Sequence, residues 1–128
     1  MIAYRKRKEE RQFERVLFSL EENVVGVFNF LWNNKEFISF AASILNLSAG
    51  GLQFILRRDD DNGVRVGDRL LLQKIKGNEK LTFCANMELE IRWIIDVQYL
   101  EHIGVGCRFQ NISDTLREKI GQFIDGAS

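Results

Sequence analysis

The sequence predicts an all-β domain, a small antiparallel barrel, with one helix at its C-terminal end and a basic, flexible arm at its N-terminal end. Three observations carry this reading. Apolar residues recur at every second position through most of residues 16–110, the period of a strand with one buried face. Clusters of Asn, Asp and Gly interrupt these runs at short intervals, as turns require. Only near the chain end does the period lengthen to that of a helix.

Residues 1–15 are polar and charged with scattered apolar positions. Such a segment buries too little surface to order itself, so it reads as a mobile or partly helical arm preceding a barrel over 16–128. The first apolar run is 16–20. The pair Asn33-Asn34 suggests a hairpin between roughly 23–31 and 36–45. Within its second strand Ile38, Phe40, Ala42 and Ile44 share one face. Further turns are expected at 59–63, at Gly67-Asp68, at Gly77-Asn78 and at 99–101. Met87, Leu89, Ile91, Trp93, Ile95 and Val97 form the longest inward row, opposed by Glu88, Glu90, Arg92, Asp96 and Gln98. This alternation places Trp93 in the core. Ile103, Val105, Cys107 and Phe109 give another inward row. Leu116, Ile120, Phe123 and Ile124 then fall on one helical face. Ser113 or Asp114 is suited to cap that helix and Gly126 to help end it. Six or seven antiparallel strands and a helix usually close into a small barrel covered at one end or side.

The 128 residues are one domain's worth of chain and suffice for a core without disulfides or metal. Eighteen basic residues balance eighteen acidic ones, which argues against an electrostatic nucleic-acid binder. The run Arg5 to Lys8 is the feature that such a binder would use. Residues 4–15 hold six basic and three acidic residues, net +3, pointing to a local anionic partner. There is no apolar run long enough for a membrane span and no apolar core after the N-terminal charges. Cys84 and Cys107 lack metal-site spacing and the only histidine is His102, so no metal site is expected and the cytoplasm is the expected compartment. His102 lacks a nucleophile in its strand-turn context, and Cys107 reads as a small core residue, so no catalytic residues are expected.

Two segments carry binding chemistry. Asn46-Leu47-Ser48-Ala49-Gly50-Gly51 links two strands. Asn46 and Ser48 are two apart and point the same way in extended chain, offering donors and acceptors to a base edge or phosphate. Gly50 and Gly51 let the chain turn and a flat ligand approach the backbone. The bland alternative is a plain turn. Arg11-Gln12-Phe13-Glu14-Arg15 places two guanidiniums four apart at the arm–barrel junction. Their forks suit phosphate or the O6 and N7 acceptors of guanine. Arg7 and Arg11 repeat the spacing, which leaves two registers; Arg11 and Arg15 are preferred because Arg15 leads into the first apolar run.

R-x-x-x-R followed some thirty residues later by [D/N]-x-S-x-x-G resembles the PilZ domain family. Here the motifs read Arg11-x-x-x-Arg15 and Asn46-x-Ser48-x-x-Gly51. Val66-Gly67-Asp68, Arg92-Trp93 and the segment from Ile103 to Phe109 look like the family too, so the resemblance spans about residues 11–125. It implies a six-stranded antiparallel barrel that binds cyclic di-GMP without other cofactors. Arg11 and Arg15 would contact phosphates and guanines, Asn46 and Ser48 would hydrogen-bond from the barrel side, and Gly51, beside Gly50, would keep the surface open. Glu10, an acid ahead of the arginine pair, opposes a second intercalated ligand. The expected function is a cyclic di-GMP receptor whose arm orders over the ligand and relays the state to a downstream protein controlling motility, biofilm or virulence. The alternative is a barrel of this type that only binds proteins. An Arg15→Ala variant is expected to melt normally and not to bind.

Overall fold

The structure is a computed structural model that describes residues 14–31, 39–58, 63–96 and 101–127. Among the described residues seven strands form one antiparallel sheet. They are β1 (Arg15–Leu17), β2 (Val25–Phe30), β3 (Ser39–Ser48), β4 (Gly51–Arg57), β5 (Arg69–Lys76), β6 (Met87–Asp96) and β7 (His102–Gln110). One helix, α1 (Asp114–Ala127), ends the chain's described part. The order β3-β2-β5-β6-β7-β4 closes on itself because β3 also pairs with β4. This is a six-stranded barrel with β1 as an extra strand. β1 binds β3 along the same edge as β2 but farther on, at residues 46–48 rather than 39–43.

Alternation builds the interior. Phe28 and Phe30 of β2, Phe40, Ala42 and Ile44 of β3, and Leu52, Phe54 and Leu56 of β4 are buried. Phe28 is central: its ring stacks on Phe40 at 5.3 Å and meets Phe54 at 4.7 Å, distances at which aromatic pairs add to the gain from burial. Ile103, Val105, Cys107 and Phe109 supply the expected inward row of β7. The two free cysteines are both buried, and burial pushes the Cys84 thiol up to about 12 and raises that of Cys107 as well. His102 begins β7, exposed and opposite Arg57.

The helix seats as its periodicity requires, with Ile120 and Ile124 buried and Leu116 and Phe123 packed against the core. The Ser113 hydroxyl accepts from Leu116 N–H at 3.1 Å, so Ser113 is the cap. Gly126 lies inside the last turn instead of ending it. The helix contacts β1 and β3, and the Phe123 ring stands 6.4 Å from that of Phe18, just after β1.

Two departures from simple alternation matter for function. β3 runs to Ser48, so Asn46 and Ser48 are strand residues and the turn is only Ala49-Gly50. A bulge between Ile44 and Asn46 shifts the phase and turns Asn46 outward while Leu47 points in. In β6 a second bulge falls between Ile91 and Trp93, with Arg92 as the extra residue. Phase reverses there: Ile94 packs on the core and Ile95 is 56% exposed. The row expected through Met87, Leu89, Ile91, Trp93, Ile95 and Val97 therefore holds only as far as Ile91, and Trp93 is not a core residue. Val97, Ile38 and the Asn33-Asn34 turn lie outside the described residues.

Candidate functional site

Side chains directly opposite one another in a sheet share a face, and the registers here align one outward row across five strands. Leu17 of β1 faces Asn46 of β3, Asn46 faces Gln53 of β4, Gln53 faces Gly106 of β7, and Gly106 faces Trp93 of β6. A second row places Arg15 opposite Ser48, and Gly51 opposite Arg108. These rows border a cleft of about 370 Å³ lined by Arg15, Ser48, Gln53, Arg92, Trp93 and Arg108, among others. The lining carries three arginines and no carboxylate among the described residues. The acid beside Arg92 is Glu90, 3.7 Å from its guanidinium. That ion pair is half in solvent and is worth little.

Asn46 is the polar pivot of the site. It is 5% exposed, and burial of a carboxamide requires partners. Its Oδ1 accepts from Nη1 of Arg15, and its Nδ2 donates to Oε1 of Gln53 at 2.7 Å. The contact holds the long Arg15 side chain at the cleft edge.

Ser48 has a task within the fold. Its hydroxyl oxygen accepts from the N–H groups of Gly50 and Gly51 at 3.1 and 3.2 Å, and its O–H donates to Gly51 C=O at 3.3 Å. The side chain thereby holds the two-residue turn in shape. Gly51 also answers to the barrel, since a Cβ there would strike the backbone carbonyl of Cys107 on β7. Thus Arg15, Ser48, Gly50 and Gly51 line one end of the cleft, with the buried Asn46 bonded to Arg15 beside them, while Arg11 lies outside the described residues.

The far wall comes from residues the alternation argument misassigns or passes over. The β6 bulge aims Trp93 at the outer face, where its indole lies against Gly106; any Cβ at 106 would overlap the ring. Both backbone groups of Ile91, at the start of the bulge, are held by the 67–68 turn: Gly67 N–H donates to Ile91 C=O at 2.8 Å and Ile91 N–H to Asp68 C=O at 2.9 Å. The carboxylate of Asp68 closes that turn by accepting from Arg65 N–H at 2.8 Å. Its pKa is raised by burial, against the lowering effects of that hydrogen bond and of the Arg65 charge. One sequence signal marked this wall. Gly104 and Gly106 alternate with Ile103, Val105 and Cys107, which leaves the outer face of β7 bare enough for a ring.

This arrangement suits an anion bearing flat rings: guanidiniums for negative oxygens, an indole face for stacking and a carboxamide for a polar edge. Cys107 borders the cleft from the core side, with its thiol pKa raised by burial, and among the described residues no group of three His, Cys, Asp or Glu could hold a metal. No described helix is long and apolar enough to cross a membrane.

No curated protein sequence matches the chain. Solved structures match its fold. The Bacillus subtilis inhibitor of motility MotI/DgrA aligns with a TM-score of 0.65 at 19% identity, over 95% of this chain and 53% of that one. The PilZ domain of Escherichia coli YcgR with c-di-GMP aligns at 0.65 and 18%, over 92% and 91%. A K. pneumonia MrkH–c-di-GMP complex aligns at 0.58 and 14%, over 91% and 52%. The chain thus spans about half the length of the motility inhibitor and of MrkH, and nearly all of the isolated YcgR domain. The PilZ domain model matches residues 6–126, nearly the whole sequence, and the chain belongs to the PilZ domain family.

Proposed function

We propose that this chain is a c-di-GMP receptor, and not an enzyme, whose ligand lies in the cleft between Arg15 and Trp93. The observation that carries the proposal is the Arg15–Asn46 contact at one end of a cleft whose other wall holds Trp93 and Arg108. Cyclic di-GMP has two phosphates and two guanines. Arg15 and Arg108 supply forks for phosphate or for guanine O6 and N7, and Trp93 supplies a ring for one base to stack on. The structures of the YcgR domain and of MrkH that share this fold contain c-di-GMP.

The roles of the motif residues divide on physical grounds. Arg15, and by the R-x-x-x-R pattern Arg11, contact ligand. Asn46 acts chiefly by aiming Arg15, while Ser48, Gly50 and Gly51 shape the turn over which the ligand lies. The basic segment 4–15, net +3, runs up to Arg15, which β1 already holds against β3, and brings its charge to the ligand's phosphates. Its engagement with the ligand is the signal passed to a downstream protein. Isothermal titration with c-di-GMP tests the reading. The expected result is saturable heat with one ligand per chain, because Glu10 opposes a second, and a raised melting temperature. Absence of heat and of any melting shift at saturating ligand sinks it.

A further inference from the structure

We infer that Gln53 is a specificity-determining residue: its amide nitrogen selects a base that presents acceptors, and Asn46 sets that nitrogen's direction. The inference rests on the c-di-GMP reading and goes beyond it, because Gln53 belongs to neither motif that marks the site.

The argument begins with a residue that cannot accept a hydrogen bond. Arginine is donor-only, so the end of the Asn46 carboxamide that meets Arg15 must be Oδ1. The other end is then Nδ2, a donor, and the atom it meets on Gln53 at 2.7 Å must be an acceptor, Oε1. Polarity is thus transmitted along the chain Arg15, Asn46, Gln53 without ambiguity of amide orientation. Gln53 is left with its Nε2 hydrogens unspent: no described residue accepts from them. Gln53 is half-buried and lines the cleft, with Asn46 on one side and Gly106 on the other, beside the wall where Trp93 offers its ring.

A donor at this point discriminates between purines. Guanine shows two acceptors, N7 and O6, on the edge where adenine shows one acceptor and the N6 amino donor. The Gln53 amide therefore favours guanine and leaves the adenine amino group facing another donor. Asparagine at position 46 is essential to this polarity. With an aspartate in its place both side-chain oxygens would accept, Arg15 would take one, and Gln53 would turn to donate to the other. The Gln53 Oε1 would then face the ligand, and the preference for guanine would shrink.

The test compares c-di-GMP with c-di-AMP by titration calorimetry on wild type, Gln53→Glu and Asn46→Asp, with melting curves to confirm folding. The readout is the ratio of the two affinities. It cancels any loss that a new negative charge imposes on both ligands through their phosphates. Wild type should prefer c-di-GMP, and in each variant the preference should fall by about threefold to tenfold, the worth of one hydrogen bond. An unchanged ratio in Gln53→Glu overturns the inference while leaving c-di-GMP binding intact. A fall in Gln53→Glu alone overturns the part assigned to Asn46. Wild type that binds neither nucleotide overturns the c-di-GMP reading itself, and this inference with it.

Discussion

The indole of Trp93 lies against the bare backbone of Gly106, its direct partner across the β6–β7 pair. The absence of a side chain on one strand fixes where the ring of the other can rest. A methyl at 106 would overlap the indole, so Gly106→Ala should push the ring into the cleft or out to solvent. Stability should fall by about 1–3 kcal/mol, the usual cost of overpacking, and c-di-GMP affinity should fall about tenfold or more with the loss of the stacking platform. Titration and tryptophan fluorescence on the same variant check both effects.

Removing Arg15 should do two things. Arg15→Ala deletes a charge-assisted contact worth about 1.5–3 kcal/mol, weakening c-di-GMP binding tenfold to a hundredfold or more. It also strips the buried Oδ1 of Asn46 of its donor, at a further cost of about 1–3 kcal/mol in fold stability. A variant that melts normally is the expectation from sequence alone; the structure replaces it with a lowered urea midpoint. Equal midpoints for Arg15→Ala and wild type would show that Asn46 finds another donor.

Ser48→Ala should act on stability before it acts on binding. The hydroxyl is the acceptor for two backbone N–H groups of the turn, and burial makes unsatisfied donors cost about 1–3 kcal/mol. Denaturant unfolding measures the loss. Ligand affinity should fall less than in Arg15→Ala, because Ser48 shapes the turn without supplying charge.

Neither cysteine should react readily in the native protein. The Cys84 thiol is pushed up to about 12 by burial, and that of Cys107 is raised too, so at about pH 8 thiolate is scarce and access is poor. Labelling with a thiol reagent should be slow until denaturant is added. The sign of the pH effect follows. A thiol that ionises near 9 when unfolded and near 12 when folded binds more protons in the native state between those values. Stability is therefore undiminished below pH 9 and is lost as pH rises towards 12.

Much of the barrel is legible in the sequence because period two needs only a hydrophobic face to be read. Phe40, Ala42 and Ile44, the row from Ile103 to Phe109, and the helical face at Leu116, Ile120, Phe123 and Ile124 all sit where their spacing puts them. What spacing does not reveal is a bulge. Arg92 looks like any outward residue of a regular strand, yet as the extra residue of β6 it reverses the phase and sends Trp93 out of the core. The bulge between Ile44 and Asn46 is equally silent in the alternation. One end of the cleft was legible because Arg15, Asn46 and Ser48 sit in recognisable motifs. The other end, Trp93 and Arg108, depends on strand register between distant segments, which residue types do not encode.

The cleft also straddles the seam between β4 and β7, the longest-range strand pairing among the described residues. β4 meets β7 through pairs running from Gly51 with Arg108 to Arg57 with His102, 57 to 45 residues apart in sequence. Such non-local pairings carry the largest loop-closure cost and tend to form late in folding. The two walls of the cleft are therefore strangers until the last strand docks. A nascent or partly unfolded chain holds Asn46 and Ser48 without Trp93 and Arg108 across the cleft from them. Binding competence thus arrives together with completion of the fold, and the nucleotide should act as a clamp across the seam, slowing its reopening more than it speeds its formation.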